Sequence, residues 1–252
     1  MANVKVNFLS YTLHRAVDLT VIIPTMCFSE MMVKDPAPAH PKDAKYPVLY
    51  LLHGYGNNHA TWNGYTSVEL YAEEHNMAVV MLSAENKSYI NRGGDDNYFD
   101  FISHELPEFI QGMFPVSDRP EDTYIAGLSM GGYGSLVHGL SQSERFAAIG
   151  SFSGAAKGMP GTPDEYSPAK LAEKCAAEKR MKPMYIACGD KDFLYEANIE
   201  FKDMLVELGY DVTWVVGEGY GHEWRFWNRE VENFLKWIPR TDKYYSKEKR
   251  KI

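Results

Sequence analysis

The chain has little of what disulfide-rich, metal-binding or cofactor-binding proteins require. Its 252 residues include three cysteines, Cys27, Cys175 and Cys188, which are widely spaced and form no CxxC pair. An odd number of scattered cysteines predicts free thiols in a reducing cytoplasm rather than a disulfide framework. The eight histidines form no HExxH motif, and no GxGxxG motif or P-loop lysine is present. We therefore expect no metal and no cofactor.

Positive charge, long apolar runs and a leader-like amino terminus are also missing. The formal net charge of −8 argues against nucleic acid as a partner, because a polyanion is bound by lysine and arginine. It also argues against an anionic membrane. No segment approaches the roughly 18 consecutive apolar residues that a membrane-spanning helix requires. Residues 1–10 lack a basic cluster followed by an apolar stretch, so we expect no signal peptide.

The apolar pattern predicts a single α/β domain over residues 1–252. A chain of this length with 45% hydrophobic residues can bury a sizeable core. A hairpin is expected at residues 4–13 and 17–24. Further apolar strands are expected at residues 46–52, 77–82, 123–126, 147–152, 184–188 and 212–216. Because these strands alternate with helical patterns, we expect a mostly parallel central sheet with helices on both faces.

Three segments complete this architecture. Residues 154–183 form the main insertion, with a glycine- and proline-rich start and a helical stretch at 168–180. We expect the insertion to form a short cap over the carboxyl ends of the strands, with a plain surface excursion as the alternative. A closing helix is expected at residues 226–237, with its aromatic stripe in the core. The charged residues 241–252 are expected to fray.

The most informative motif is Gly127-Leu128-Ser129-Met130-Gly131, a G-x-S-x-G pattern between an apolar strand and a helical stretch. In this context a serine is held on a sharp turn with its hydroxyl exposed. Glycine permits the turn because side chains at Gly127 and Gly131 would collide there. A glycine-rich turn with no catalytic role fits the same five residues, so the pattern alone leaves both interpretations open.

An acyl-transfer serine needs a general base, and in this type of fold the order along the chain is serine, acid, histidine. Only His138 and His222 follow Ser129. His138 lies in the helix that the turn opens into, so its side chain would be carried away from the hydroxyl. His222 follows an apolar strand on a glycine-rich loop and is the predicted base, with a solvated loop histidine as the alternative.

Two aspartates compete for the acid that orients this histidine. Asp190 and Asp192 both follow the predicted strand 184–188. Asp190 comes directly after a glycine and is placed to brace the turn, whereas Asp192 lies further into the loop and can reach the histidine loop. We expect Asp192 to be the acid and Asp190 to be structural.

Two backbone amides are expected to stabilise the oxyanion of the tetrahedral intermediate. One is the amide of Met130, directly after the predicted nucleophile. The second is expected from the loop that follows the apolar strand 46–52, where Gly54 and Gly56 let the backbone turn its amides into a cavity. We assign it to Tyr55. An ordinary strand-to-helix connection is the alternative for this loop.

These segments resemble the putative-esterase branch of the α/β-hydrolases. The residues that carry the resemblance are His53-Gly54-Tyr55-Gly56-Asn57-Asn58, Gly127-Leu128-Ser129-Met130-Gly131-Gly132, residues 189–194 and Gly221-His222-Glu223-Trp224. The branch includes tributyrin esterases, feruloyl and acetyl-xylan esterases, esterase D and the mycolyltransferases. The resemblance covers residues 4–237 and implies an α/β-hydrolase fold. It implies triad roles for Ser129, Asp192 and His222, and oxyanion roles for the amides of Tyr55 and Met130.

The resemblance implies a serine carboxylesterase that acts on short acyl esters, or on feruloyl or acetyl esters of sugars, through an acyl-serine intermediate. An S-formylglutathione hydrolase-like thioesterase is one alternative. Against it, esterase D proteins typically have Ser-Gly-Leu-Thr-Cys where this chain has His53-Gly54-Tyr55-Gly56-Asn57. A non-catalytic binding module is a further alternative, although it has no physical reason to retain serine, acid, base and both oxyanion segments. The expected partner is a small-molecule ester, and a homo-oligomer is left open.

The predicted substrate pocket is small and apolar. Trp62, Phe193 and Trp224 lie next to the catalytic loops in sequence and are expected to bind substrate together with Tyr55 and Met130. Their apolar faces suit a small acyl group or a flat aromatic ring. We therefore expect acetyl to butyryl esters to be preferred over octanoyl esters.

Overall fold

An eight-stranded sheet forms the centre of the fold, in a computed structural model that describes residues 1–37, 41–248 and 250–252. Its spatial order is β1-β2-β4-β3-β5-β6-β7-β8. The strands are β1 (Ala2–Ser10), β2 (Arg15–Ile23), β3 (Val48–Leu52), β4 (Ala78–Leu82), β5 (Thr123–Leu128), β6 (Ala148–Phe152), β7 (Met184–Gly189) and β8 (Val212–Gly217). Only the β1–β2 and β2–β4 pairs are antiparallel. The predicted opening hairpin and mostly parallel sheet are confirmed.

Helices connect the strands and cover the sheet. They are α1 (Phe28–Met31), α2 (Thr61–Tyr65), α3 (Val68–Glu74), α4 (Tyr98–Asp100), α5 (Leu106–Met113), α6 (Met130–Ser141), α7 (Pro168–Ala177), α8 (Tyr195–Glu207) and α9 (Trp224–Trp237). A π-helical stretch, Phe101–Glu105, joins α4 to α5. In the described part of the chain, no helix has the length and apolar character needed to cross a membrane.

Strand β3 is apolar throughout because both of its faces are covered. Its side chains alternate between two separate hydrophobic clusters. Val48, Tyr50 and Leu52 join buried residues of α5, α6, α7 and α8. Leu49 and Leu51 join buried residues of α2, α3 and α9. Helices therefore cover both faces, as the sequence predicts.

The closing helix α9 packs through one aromatic face. Phe226, Trp227, Val231 and Phe234 are buried in the second cluster, at the spacing of a helix that contacts a core on one side. The predicted core role of this stripe is confirmed. The helix begins two residues after His222, so its packing also fixes where the histidine loop ends.

The insertion 154–183 divides into two parts, and the helical part differs from expectation. Helix α7 buries Ala172 and Cys175 in the same cluster as residues of α6 and α8. It is the crossover helix between parallel strands β6 and β7 rather than a cap, because such a connection packs back on a sheet face. Only the loop before it lies at the carboxyl edge, where the Ala155 amide donates to the Ser129 carbonyl at 3.2 Å.

The tail also differs from expectation, because its described residues are anchored. Arg250 pairs with Glu30, and its backbone amide donates to the Glu74 carbonyl at 3.0 Å. Arg240 and Asp242 form a buried ion pair at 2.7 Å, with 2% and 3% of their side chains exposed. The predicted fraying of 241–252 is wrong for these residues. Arg250 finds its partners far away in sequence, whereas Asp242 pairs with Arg240, two residues before it.

Candidate active site

Ser129 stands on a strained turn between β5 and α6. Its φ and ψ are 53° and −114°, in a region that a residue with a side chain adopts at a cost of about 1–3 kcal/mol. A Cβ at Gly127 would overlap the Gly131 carbonyl, and a Cβ at Gly131 would overlap the carbonyls of Leu52 and His53. The two glycines therefore let α6 start directly against β3. The turn is held by the Ser129 amide, which donates to the Phe152 carbonyl at 2.9 Å.

His222 and Asp192 are hydrogen-bonded to each other from two different loops. The imidazole Nδ1 lies 2.8 Å from Asp192 Oδ2, and 21% of the His222 side chain is exposed whereas the Asp192 side chain is fully buried. The other carboxylate oxygen accepts the Leu194 amide at 2.9 Å. A carboxylate fixed on both oxygens can orient the ring, and it leaves Nε2 as the nitrogen available to a substrate or a serine hydroxyl.

Asp192 remains ionised in spite of its burial. Burial raises the pKa of the carboxyl group, but hydrogen bonds from His222, the Leu194 amide and the Ser153 hydroxyl outweigh it, so the net pKa is lowered. A charged carboxylate beside Nδ1 accepts the Nδ1 proton and so fixes the tautomer of the ring.

Asp190 has a separate position. Its Oδ1 accepts the Gly219 amide at 2.7 Å, which ties the end of β7 to the start of the histidine loop. Its other oxygen lies 3.4 Å from Lys191 Nζ. The structure thus pairs Asp192, and not Asp190, with His222.

Two residues that the sequence analysis missed support the His222–Asp192 pair. Ser153 is fully buried with a φ of 47°, and its Oγ accepts the Trp227 indole N–H at 3.2 Å. The Trp227 ring meets the imidazole edge-on, with centroids 4.9 Å apart. The only sequence signal for Ser153 is a small-residue run at the end of a strand, and that run lacks the spacing of a nucleophile turn.

The amides of Tyr55 and Met130 belong to the two segments that adjoin Ser129. In the described part of the chain, neither amide donates to a backbone carbonyl. Gly54 packs so tightly that a Cβ there would overlap the Leu128 side chain. The loop after β3 is therefore pressed against the serine turn, which brings both amides to the same edge of the sheet.

His53 is a structural residue of this loop. Its Nε2 accepts the Ala84 amide at 2.9 Å, so the proton lies on Nδ1, which donates to the Gly54 carbonyl at 2.7 Å. Burial lowers the pKa of His53 to about 4, so the ring is neutral at physiological pH.

The three predicted substrate-binding residues have different environments. Phe193 is 78% exposed and contacts the His222 ring at 4.7 Å. Trp224 is half-buried and stacks on exposed Tyr65, with ring centroids 5.0 Å apart. Trp62 has no exposed surface, and its indole N–H donates to the Leu52 carbonyl at 2.9 Å. The expectation that Trp62 contacts substrate is therefore wrong, because α2 turns its ring into the core.

Metal-ligating side chains do not gather at this edge. Among residues 1–37, 41–248 and 250–252, no group of three His, Cys, Asp or Glu side chains is arranged to hold a metal ion. The chemistry that this site offers comes from a serine hydroxyl, an imidazole, a carboxylate and backbone amides.

The comparisons with known proteins agree with this arrangement. The sequence model of the family described as "Putative esterase" matches residues 29–231. The chain belongs to the putative-esterase family. It is a carboxylic ester hydrolase, and the α/β-hydrolase fold that the sequence predicts is confirmed.

Three relatives cover nearly the whole chain. The acetyl esterase of Caldicellulosiruptor saccharolyticus is 33% identical over 271 positions, which cover 96% of this chain and 99% of the relative. The solved structure of fluorophosphonate-binding serine hydrolase F of Staphylococcus aureus is 28% identical, with a TM-score of 0.82 over 94% of this chain and 97% of that one. The S-formylglutathione hydrolase structure from the same organism is 29% identical, with a TM-score of 0.78 over 94% and 98%.

Proposed function

We propose that this esterase hydrolyses short acyl esters through an acyl-serine intermediate on Ser129. The observation that carries the proposal is the 2.8 Å hydrogen bond between His222 Nδ1 and the buried Asp192 carboxylate, at the edge where the strained Ser129 turn lies. A histidine oriented by an ionised carboxylate is the general base that a serine nucleophile needs.

In the acylation step, Ser129 Oγ attacks the ester carbonyl carbon while His222 Nε2 takes the hydroxyl proton. Asp192 stabilises the imidazolium that forms. The amides of Tyr55 and Met130 donate to the oxyanion of the tetrahedral intermediate. The intermediate collapses when His222 gives its proton to the leaving alcohol. Water then repeats the sequence on the acyl-serine and releases the acid.

The acyl group is proposed to be small. Phe193 offers an apolar ring face beside the histidine, with ring centroids 4.7 Å apart, but it lies at an open edge and is 78% exposed. Trp224, at the start of α9, is half-buried and stacks on exposed Tyr65. A chain that protrudes from such an edge gains little of the ~0.8 kcal/mol available for each buried CH₂. The kinship with an acetyl esterase supports the same choice. We expect kcat/KM to peak at acetyl to butyryl esters and to fall for octanoyl esters.

A thioesterase acting on S-formylglutathione is the second candidate, because one neighbouring structure of 29% identity is an S-formylglutathione hydrolase. Both candidates use the same nucleophile, base and oxyanion amides. They differ in the leaving group, so only substrate comparison separates them.

We place the enzyme in the cytoplasm on the basis of its cysteines. Cys27, Cys175 and Cys188 are buried free thiols. Free thiols are typical of proteins in a reducing compartment.

A substrate panel tests the proposal. It compares p-nitrophenyl acetate, butyrate and octanoate with methyl ferulate, acetylated xylo-oligosaccharide and S-formylglutathione, using wild type and Ser129→Ala. The control is Ser103→Ala, which removes a buried hydroxyl in the π-helical stretch. Highest kcat/KM for acetyl or butyryl esters, lost only in Ser129→Ala, supports the proposal. Highest kcat/KM for S-formylglutathione assigns the second function, and rates that rise through octanoate contradict the small acyl site.

A further inference from the structure

The segment 84–89 has an unusual concentration of left-handed backbone. Glu85, Asn86, Ser88 and Tyr89 have φ values of 45°, 59°, 61° and 63°. Such a conformation is strained for every residue except glycine and, to a lesser degree, asparagine. A segment keeps this many strained residues only where its surroundings determine its conformation.

This segment bonds both ends of the turn that carries the proposed oxyanion amide of Tyr55. The Tyr89 hydroxyl donates to the His53 carbonyl at 2.7 Å, and the Ala84 amide donates to the His53 ring at 2.9 Å. At the other end, the Gly56 amide donates to Asn86 Oδ1 at 2.6 Å. Tyr55 lies between these two fixed points.

The same segment is docked on the helix that starts with Met130. The His138 imidazole of α6 lies 2.9 Å from the Tyr89 carbonyl. The Tyr89 ring rests against Gly134 of α6, where a Cβ would overlap it. Tyr89 thus connects α6, which presents the Met130 amide, to the turn that presents the Tyr55 amide, through its ring and carbonyl on one side and its hydroxyl on the other.

We propose that the segment 84–89 sets the direction of the Tyr55 amide relative to the Met130 amide, and that Tyr89 and Asn86 are positioning residues for the hydrolysis proposed above. Oxyanion donors lower the barrier only when they already point at the developing charge. The strain in the segment is the cost of holding the turn in that direction, and neither residue touches substrate. The expected effect on rate rests on the proposed function. The claim that Tyr89 and Asn86 hold the turn around Tyr55 does not.

The first test removes the Tyr89 hydroxyl in Tyr89→Phe. The matched control is Tyr210→Phe, which removes the hydroxyl of another buried tyrosine that donates to the Ala172 carbonyl at 2.8 Å. Both variants are expected to lose stability. Only Tyr89→Phe is expected to lose kcat, by about tenfold or more because an oxyanion donor is misdirected, with KM within about twofold. Affinity for phenylboronic acid, which forms a tetrahedral adduct with a serine, is expected to fall in parallel with kcat.

The second test uses Asn86, which is exposed, so its variants are expected to fold. Asn86→Gly keeps the left-handed backbone but removes the oxygen that accepts the Gly56 amide. Asn86→Asp keeps that oxygen. We expect Asn86→Gly to lower kcat several-fold and Asn86→Asp to retain wild-type kcat, which a purely steric role would not predict.

Failure of this inference can be told apart from failure of the proposed function. If wild type hydrolyses esters, depends on Ser129, and keeps its kcat and boronate affinity in Tyr89→Phe, the inference is overturned and the proposed function stands. If wild type hydrolyses none of the panel, amide hydrogen exchange still tests the structural part. Exchange at residues 53–57 is expected to be faster in Tyr89→Phe than in Tyr210→Phe, and equal exchange overturns the inference.

Discussion

Two loops at the carboxyl edge of the sheet carry a histidine, and they use it in opposite ways. His53 is 1% exposed, and both of its ring nitrogens are bonded to backbone groups. His222 is partly exposed, and its Nδ1 is bonded to a carboxylate. The first imidazole has its hydrogen-bonding capacity filled and is held neutral by burial. The second has one nitrogen fixed by a negative charge and the other available.

The difference shows that residue type alone does not decide which histidine can act as a base. Backbone partners make a histidine part of the scaffold, because protonation would break the bond that the Ala84 amide donates to His53. A carboxylate partner imposes no such limit, because Nδ1 of His222 can donate to Asp192 whether or not Nε2 carries a proton. Substitutions at the two histidines test this contrast.

Replacing His222 is expected to remove activity without unfolding the protein. His222→Gln should lower kcat for p-nitrophenyl acetate by roughly 10⁶-fold, whereas the partly exposed position predicts little change in Tm. Steady-state kinetics and thermal unfolding measure the two effects. His53→Gln, in contrast, should lower Tm because its ring nitrogens bond a buried backbone. If His222→Gln and His53→Gln lost kcat to a similar extent and had the same Tm, the two histidines would not differ in role.

Substitutions of Asp192 and Asp190 should likewise differ, with one affecting mainly kcat and the other mainly stability. Asp192→Asn is expected to lower kcat by roughly 10⁴-fold, because an amide favours the wrong imidazole tautomer. Asp190→Asn keeps an oxygen for the Gly219 amide and is expected to cost mainly stability. Kinetics on both variants decide the matter, and the reverse ranking would transfer the orienting role to Asp190.

Buried Trp62 and partly exposed Trp224 provide a third contrast. Trp62→Ala should lower the free energy of unfolding by about 3–5 kcal/mol, since it empties a fully buried site. Trp224→Ala should mainly raise KM for esters, because its ring is partly exposed beside the histidine loop. Urea unfolding and steady-state kinetics test the pair. A KM effect confined to Trp62→Ala would reverse our assignment of core and surface.

The smallest expected effect is a pH dependence of stability. Burial lowers the pKa of both His53 and His138 from 6.5 to about 4. Below pH 6.5 the unfolded chain binds protons that the folded chain does not, so this contribution to stability is complete above pH 6.5 and is lost as the pH falls to 4. Urea unfolding at pH 7, 6 and 5 should show a shallower decline in His138→Gln than in wild type. Equal slopes would mean that His138 is not held neutral.

Much of the fold could be predicted from the sequence because its signals are local. Each parallel strand is a short apolar run that ends in glycine or polar residues, and the serine turn needs glycine at Gly127 and Gly131 for steric reasons. His222 could be proposed as the base from the order, serine then acid then histidine, that this type of fold requires along the chain. For the same reason, Asp192 and His222 could be named before their loops were known to meet.

The rest depends on contacts between distant residues. Trp62 lies in a five-residue helix that is too short for a periodic pattern, so its direction could not be read from the sequence. Tyr89 and Ser153 both have positive φ values. Tyr89 bonds the His53 carbonyl and Ser153 bonds the Trp227 indole, and neither contact corresponds to a recognisable sequence motif. The anchored tail depends on Arg250 meeting Glu30, which is separated from it by 220 residues.

The central claim is that Ser129 is the nucleophile, and covalent labelling tests it most directly. Wild-type enzyme is treated with a p-nitrophenyl alkylphosphonate, and the modified peptide is located by mass spectrometry. We predict one adduct, on Ser129, that forms at the rate at which esterase activity is lost and is absent in Ser129→Ala. An adduct on Ser151 or Ser153, or ester hydrolysis in Ser129→Ala within tenfold of wild type, would contradict the account.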